Sequence, residues 1–151
     1  MAKSDNSYKD TLNLPRTEFD MRARLLDKEP RIQARWKDAD LYGRIRRERR
    51  GAPRYILHDG PPYANGNIHM GTALNKVLKD IVIRLRTMTG LDAPYLPGWD
   101  CHGLPIEAKV VDELGAQARQ LGPEQIRRRC RDYAQKDVAV QSEQFQRLGV
   151  L

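Results

Sequence analysis

Apolar residues along this chain change their spacing several times, and each change predicts a different element. Residues 54–58 (RYILH) combine bulky, β-branched and aromatic side chains, which predicts a short buried strand. From residue 74 to residue 88 apolar positions recur every three or four residues, which predicts a helix with one buried face. The buried positions are expected to be Leu74, Val77, Leu78, Ile81, Val82, Leu85 and Met88, and the outward positions Asn75, Lys76, Lys79 and Arg86. Gly90 stands where a left-handed helix cap belongs.

The segments after this helix continue the pattern. Residues 93–96 predict a second short strand. A helix with Pro105 at its first position is expected to bury Ile106, Val110 and Leu114 before Gly115 interrupts it. A final helix is expected from Pro123 to about Leu148.

The amino-terminal part carries weaker signals. The first thirty residues have no sustained periodicity and predict an extended arm. Apolar positions at Ile32, Trp36, Ala39 and Leu41 then predict a helix. It is expected to begin at Pro30 and to stop near Gly43 or to run on toward Gly51.

Strand, helix and strand in this order predict a right-handed parallel βαβ unit, and therefore an α/β fold. The expected architecture is part of a Rossmann-like catalytic domain with a helical amino-terminal arm. Residues 1–50 are assigned to the arm and its helix, and residues 51–151 to the first part of the nucleotide-binding domain. Two strands do not make an independently stable sheet, so the sheet is expected to be incomplete and the chain to be a truncated part of a larger domain.

The segment DGPPYANGNIHMGTALNK (residues 59–76) carries the most specific chemistry. It places a glycine-rich loop between the first predicted strand and the predicted helix. The first amides of a helix lack intrahelical acceptors, and the helix dipole favours negative charge there. Gly60, Gly66 and Gly71 allow tight turns and close approach of the backbone to a ligand. The segment therefore predicts a binding site for nucleotide phosphates.

Composition and charge limit the kinds of partner and the cellular location that are expected for this chain. Lys and Arg (27) exceed Asp and Glu (20), which gives a net charge of +7 and suits a phosphate-rich partner. The arginine runs at 44–50 and 127–131 are either solvated helix faces or contacts to tRNA or another nucleic acid. Cys101 and Cys130 are the two cysteines, without a CxxC pair, which indicates a reducing compartment. No membrane-spanning run or signal-peptide pattern is present, so a cytoplasmic location is expected.

Several motifs together resemble a known family. DGPPYANGNIHMGTALNKVLKD, followed by PYLPGWDCHGLPIE, resembles the amino-terminal part of the class I aminoacyl-tRNA synthetases and, among them, the isoleucyl-tRNA synthetases. Three further stretches carry the same resemblance: residues 8–15 (YKDTLNLP), 34–45 (ARWKDADLYGRI) and 130–151 (CRDYAQKDVAVQSEQFQRLGVL). Leucyl enzymes of the class have Ala and Phe where Cys101 and His102 stand, so the resemblance favours isoleucine. It implies an ATP-dependent isoleucine–tRNA ligase that works in protein biosynthesis.

The resemblance implies specific roles at the ATP side. The tetrapeptide from His69 to Thr72 occupies the place of the HIGH signature, which steadies the phosphates during adenylate formation. His69 and Thr72 are therefore the candidate catalytic residues. The candidate ATP-binding residues are Gly60, Asn65, His69, Gly71 and Thr72, with Gly71 under the adenine. Thr72 stands where the family usually has a second histidine, and its hydroxyl can donate a hydrogen bond but carries no charge.

The resemblance also implies an amino-acid pocket. Gly60 and Pro61 would line it, and Asp100 would pair with the α-ammonium group of isoleucine. ATP with Mg²⁺ and tRNA(Ile) are the implied cofactor and partner of the complete enzyme, which is expected to be a monomer. The editing domain, the second ATP loop and the anticodon-binding region are expected beyond residue 151, so the isolated chain is expected to be inactive.

Other readings of the same residues remain open. His69 alone could cap the helix, and Asp100 and Asn65 could be turn residues. Cys101 and His102 lack further metal ligands at suitable spacing, so no zinc site is expected. For the whole chain the alternatives are another nucleotidyl transferase with an HxGx loop, such as a cofactor adenylyltransferase, and a non-catalytic basic module that binds RNA. Binding that weakens steeply with salt and does not respond to ATP would favour the last.

Overall fold

The computed structural model describes residues 8–13, 15 and 17–150. The described part contains five α-helices: α1 (Leu25–Asp38), α2 (Leu41–Glu48), α3 (Met70–Met88), α4 (Leu104–Leu114) and α5 (Pro123–Arg147). Two 3₁₀ helices lie at Tyr8–Thr11 and Gly115–Gln120. Of the predicted amino-terminal arm, residues 1–7, 14 and 16 lie outside the described residues. No helix of the described part is long and apolar enough to cross a membrane.

The predicted α/β fold, with a βαβ unit in a Rossmann-like sheet, is wrong for the described residues, which contain no β-strand. The first predicted strand makes one isolated parallel bridge, between Arg54 and Asp92, and Asp92 immediately precedes the second predicted strand. A second isolated bridge joins Tyr63 and Asp100. Prolines at 53, 61, 62, 94 and 97 flank these bridges. Because proline has no amide hydrogen, the ladder cannot extend into a sheet at these positions.

The helices after residue 68 follow the local signals. α3 ends at Met88, and Gly90 adopts φ +97°, which confirms the predicted left-handed cap. The Leu91 amide donates to the Arg86 carbonyl at 3.0 Å and completes this cap. α4 ends at Leu114, as Gly115 predicts, and α5 begins at Pro123 and ends one residue before the predicted position.

The amino-terminal helix prediction is partly wrong. α1 begins at Leu25, so Pro30 lies inside the helix and does not start it. Asp40 adopts a left-handed conformation (φ 43°) that separates α1 from α2. Gly43 lies inside α2, so it does not stop the helix. The predicted boundary between residues 50 and 51 stays a prediction.

The predicted buried face of α3 is also wrong. Its apolar stripe is more than half exposed at Leu74, Leu78, Ile81, Leu85 and Met88, whereas Lys76, predicted to face outward, is 1% exposed. Lys76, Asp80 and Ile83 are the buried residues of this helix. Within the described chain the partners of α3 lie on that side, and the location of these partners decides which face is buried.

Two apolar clusters form the core. The first joins α3, the segments 55–57 and 93–95 and the end of α5, with Ile83, Ala93, Tyr95, Phe145 and Val150 buried. The second joins α4 and α5 through Ala64, Ile106 and Ala134. Trp99 packs against both clusters, and its ring centroid lies 6.1 Å from that of Phe145. The clusters therefore support two segments, which we call the glycine loop (residues 59–69) and the tryptophan loop (residues 97–103).

Candidate functional site

His69 ends the glycine loop and caps α3. Its backbone is extended (φ −105°, ψ 170°), and its Nδ1 accepts hydrogen bonds from the amides of Gly71 (3.1 Å) and Thr72 (3.3 Å). The imidazole thus satisfies two of the amides that a helix amino terminus leaves unpaired. With Nδ1 as acceptor, a neutral imidazole carries its proton on Nε2, which can donate to a ligand. The capping role is therefore present, and it is compatible with the predicted ATP contact.

Gly71 lies in close contact with this cap. A β-carbon at residue 71 would come within 2.9 Å of His69 Cε1 and 3.0 Å of Nδ1, closer than side chains normally approach. Thr72 contributes its amide to the cap and is partly buried. The glycine at 71 therefore has a local packing reason in addition to its predicted place beneath the adenine.

Gly60 and Gly66 differ in what the chain requires of them. Gly66 adopts φ +116°, so its turn needs glycine. A β-carbon at Gly60 would meet no atom within 4 Å, and its φ lies outside the left-handed region. Gly60 and the neighbouring Pro61 are exposed, and Asn65 is partly buried. Nothing in the described chain demands glycine at position 60, which leaves that surface open to a ligand.

The structure brings the glycine loop and the tryptophan loop side by side. The Asp100 amide donates to the Pro62 carbonyl at 2.8 Å, and the Ala64 amide donates to the Asp100 carbonyl at 3.0 Å. Asp100 therefore lies beside the segment that begins with Gly60 and Pro61. Residues assigned to ATP and residues assigned to isoleucine thus occupy adjoining segments of backbone.

The Asp100 side chain has a local role as well. Its Oδ1 accepts from the His102 amide at 3.1 Å, an Asx turn, which is the turn role that the sequence left open. The carboxylate is 38% exposed, and the only other interaction that it makes with the described chain is with His102 Nδ1 at 4.0 Å. The His102 ring is 94% exposed. The carboxylate therefore keeps capacity to bind a cation from solution.

A buried charge cluster anchors the glycine loop to α3. The Asp59 carboxylate forms ion pairs with Lys76 and Lys79, and its side chain is 7% exposed. The Tyr95 hydroxyl donates to Asp59 Oδ2 at 3.4 Å, and the Lys76 ammonium lies 5.7 Å from the centroid of the Phe145 ring. The cluster therefore fixes the start of the loop relative to the helix that follows it.

The ionisation of this cluster follows from its surroundings. Burial would raise the pKa of Asp59, but the hydrogen bonds and positive charges of Lys76 and Lys79 outweigh burial and hold that pKa below its usual value. Burial first, and the Asp59 charge second, raises the pKa of Tyr95. At neutral pH the cluster therefore contains an ionised carboxylate and a neutral tyrosine.

A cavity of about 480 Å³ lies between the tryptophan loop, α4 and α5. Its lining includes both cysteines, Cys101 and Cys130, together with His102, Glu107, Arg127 and Arg131. Burial, and then the Glu107 charge, raises the pKa of the Cys130 thiol, which favours the protonated form. Across residues 8–13, 15 and 17–150 no three His, Cys, Asp or Glu side chains are grouped so that they could hold a metal ion.

The two arginine runs differ in their contacts. In α2, Arg46 pairs with the buried Asp92 at 2.5 Å and Arg47 pairs with Asp40 at 2.9 Å. Arg49, which follows α2, donates to the Thr87 carbonyl at 3.0 Å. The contacts of Arg46 and Arg49 hold this region against the end of α3 and the segment after it, so these two arginines of the first run have structural roles. The residues of the second run, from Arg127 to Arg131, are exposed except for Cys130.

Sequence reasoning missed two sets of residues at this site. Asp59 begins the glycine loop, and Lys76 and Lys79 lie on α3, where helical periodicity predicted that both lysines face outward. Gln141 and Gln144 of α5 hydrogen-bond to the glycine loop across more than seventy residues. No local pattern could indicate the glutamines. His58, the last residue of the first predicted strand, is exposed.

Comparison with known proteins gives consistent matches. A family model described as tRNA synthetases class I (I, L, M and V) matches residues 31–151. The isoleucine–tRNA ligase of Kosmotoga olearia is 60% identical over 143 residues, which are 95% of this chain and 16% of that protein. The isoleucine–tRNA ligase of Halorhodospira halophila is 59% identical over 146 residues, 97% of this chain and 16% of that protein. The chain thus spans about one sixth of the length of these curated relatives.

Proposed function

Because the chain belongs to the class I tRNA synthetase family, we propose that it supplies part of the site at which an isoleucine–tRNA ligase makes isoleucyl-adenylate from isoleucine and ATP. In the complete enzyme the isoleucyl group then passes to tRNA(Ile). One observation carries the proposal: the Asp100 amide lies 2.8 Å from the Pro62 carbonyl, so the two motif loops adjoin. Isoleucine is chosen because the similar proteins of 57–60% identity carry that name.

In this proposal the glycine loop and the start of α3 bind ATP. His69 donates from Nε2 to a phosphate oxygen while its Nδ1 keeps the cap. Thr72 offers a neutral hydroxyl beside it, and Gly71 leaves room for the adenine. Gly60 and Asn65 line the same side. Mg²⁺ is expected to arrive with the ATP phosphates, which supply its oxygen ligands.

The tryptophan loop and the start of the glycine loop bind the amino acid. The Asp100 carboxylate pairs with the α-ammonium group, because it is partly exposed and has a small share of its hydrogen-bonding capacity in use. Gly60, with open space at its Cα, and Pro61 allow the substrate to approach closely. The branched side chain of isoleucine then packs on apolar surface beside Asp100.

Adenylate formation needs the two substrates to be positioned against each other and the developing phosphate charge to be stabilised. A carboxylate oxygen of isoleucine attacks the α-phosphorus of ATP, and the bond between that phosphorus and pyrophosphate breaks. Pyrophosphate leaves, and isoleucine is joined to AMP as a mixed anhydride. Donors that are held in place before the reaction stabilise the charge that develops on the phosphate oxygens. The histidine cap on α3 provides such a fixed donor, because two hydrogen bonds orient the ring.

The remaining features of the proposal concern the complete protein. We propose that it is a monomer of the cytoplasm, where its partner tRNA(Ile) and ATP are found, and that it needs no zinc within these 151 residues. The segment that completes the ATP site is proposed to lie in the part of the relatives that this chain does not span.

Pyrophosphate exchange into ATP tests the proposed function. The hybrid enzyme for this test carries the present chain in place of the matched stretch of the Kosmotoga olearia ligase. We expect isoleucine-dependent exchange by the hybrid enzyme and none by the 151-residue chain alone. A folded hybrid enzyme that gives no exchange, beside an active parent ligase, would contradict the proposal. Exchange by the isolated chain would contradict the view that further sequence is needed.

A further inference from the structure

Gln141 is a buried polar residue that touches both motif loops. It lies on α5, far along the chain from either loop, and is 3% exposed. Its Nε2 donates to the Tyr63 carbonyl at 3.0 Å and to the Gly66 carbonyl at 2.7 Å. Its Oε1 accepts from the indole Nε1 of Trp99 at 3.0 Å. One side chain therefore holds two points of the glycine loop and one point of the tryptophan loop.

The chemistry of the amide suits this position. A carboxamide has two N–H donors on one atom and an acceptor oxygen on the other, and all three functions are used here. A glutamate would turn an acceptor toward two carbonyl oxygens, and a methionine would make none of the three bonds. Partly buried carbonyls that lose their donors carry a free-energy cost, so the loops would move to find new partners.

We infer that Gln141 is a positioning residue that sets the distance between the ATP-binding glycine loop and the isoleucine-binding tryptophan loop. The inference rests on the proposed function, because it matters only if the two loops bind the two substrates of one reaction. Adenylate formation requires the carboxylate of one substrate to lie in line with the α-phosphorus of the other. A side chain that spans both loops fixes that relation without touching either substrate.

Two neighbours on α5 provide comparisons. Gln144 accepts from the Ile68 amide at 2.9 Å and donates to Asn67 Oδ1 at 2.7 Å, so it holds the glycine loop alone. Gln146 is exposed, and its Nε2 contacts Ser142 Oγ of the same helix at 3.4 Å. A substitution at 141 therefore removes contacts to both loops, and the same substitution at 144 removes contacts to the glycine loop alone. At 146 it removes no contact to either loop.

The test measures KM for ATP, KM for isoleucine and kcat in pyrophosphate exchange, in the hybrid enzyme and its variants. Gln141→Met is expected to raise both KM values by about tenfold or more, since two partly buried carbonyls and an indole donor lose their hydrogen-bond partner. Gln144→Met is expected to raise KM for ATP alone. Gln146→Met is expected to change neither KM value. These patterns separate positioning from a general loss of folded protein, which lowers the active concentration and leaves KM unchanged.

Gln141→Glu gives a second readout if the methionine variant folds poorly. The carboxylate still accepts from Trp99 but repels the two carbonyls of the glycine loop, so KM for ATP should rise more than KM for isoleucine. Protonation at lower pH restores one donor, so the ATP defect should shrink on acidification. KM values equal to those of Gln146→Met in both Gln141 variants would overturn the positioning role alone. Absence of exchange in the unsubstituted hybrid enzyme would instead overturn the proposed function.

Discussion

Replacement of Asp59 by asparagine is expected to destabilise the 151-residue chain by about 3–5 kcal/mol, the usual effect of removing one partner of a buried ion pair. Lys76 is 1% exposed, and the substitution leaves its ammonium without the carboxylate that compensates its burial. Lys79 and the Tyr95 hydroxyl lose the same partner. Urea-induced unfolding at pH 7, followed by circular dichroism, measures the change in the free energy of unfolding.

Matched variants identify the cause. Lys76→Met should be milder, because Asp59 keeps Lys79 and the thioether can pack against Phe145. The double variant Asp59→Asn with Lys76→Met should recover part of the loss, since the most deeply buried ammonium, that of Lys76, is then absent. Glu124→Gln is the control at an exposed ion pair with Arg128 and should change stability by less than about 1 kcal/mol. An Asp59→Asn effect as small as that of Glu124→Gln would contradict the role of the cluster.

The stability difference between the unsubstituted chain and Asp59→Asn should depend on pH in a defined direction. The pKa of Asp59 is lowered in the folded chain, so the carboxylate contributes stability above its ordinary unfolded pKa of about 3.9. This contribution is lost as the pH falls below that value through the lowered folded pKa. The stability difference between the unsubstituted chain and Asp59→Asn should therefore be constant near neutrality and shrink below about pH 4. A difference that does not shrink on acidification would point to another cause.

Replacement of Asp100 by asparagine in the hybrid enzyme should lower kcat/KM for isoleucine by about 30- to 5,000-fold. The range corresponds to about 2–5 kcal/mol, the usual effect of truncating one partner of a bound charge pair. Asparagine keeps the shape and can still accept from the His102 amide, so the turn should persist. Because the α-ammonium group belongs to isoleucine, KM for ATP should change much less.

A neighbouring variant controls for this effect. His102→Asn changes a ring that is 94% exposed and lies 4.0 Å from the Asp100 carboxylate, without removing a charge partner for the substrate. Its kcat/KM for isoleucine should stay within about threefold of the unsubstituted hybrid enzyme. Equal losses in the Asp100 and His102 variants would show that the loop structure, and not the carboxylate, had been disturbed.

Local signals predicted the later helices well, and distant partners explain the errors. The ends of these helices are visible in the sequence, because they depend on the backbone preferences of single residues: Gly90, Gly115 and Pro123. A strand needs a partner along several residues, and the prolines around the Arg54 and Tyr63 bridges limit each pairing to one step. The spacing of apolar residues in α3 located an apolar stripe. It could not reveal that Lys76 is buried in an ion pair with Asp59.

Some residues of the candidate site could be identified from the sequence, and others could not. His69, Gly71 and Asp100 could be selected from short motifs, and their local cap and turn contacts depend on nearby residues. Gln141 could not be selected, because its partners lie 42 to 78 positions away in the chain. Contacts of that range depend on how α5 packs against the loops, which no local pattern of one sequence reveals.

The position of a bound reaction intermediate tests the central claim most directly. A crystal structure of the hybrid enzyme with a non-hydrolysable analogue of isoleucyl-adenylate would measure two distances. We predict that the α-ammonium group lies about 2.7–3.2 Å from the Asp100 carboxylate and that a phosphate-site oxygen lies within the same range of His69 Nε2. An analogue bound away from either the glycine loop or the tryptophan loop would contradict the claim that the two loops form one adenylate-forming pocket.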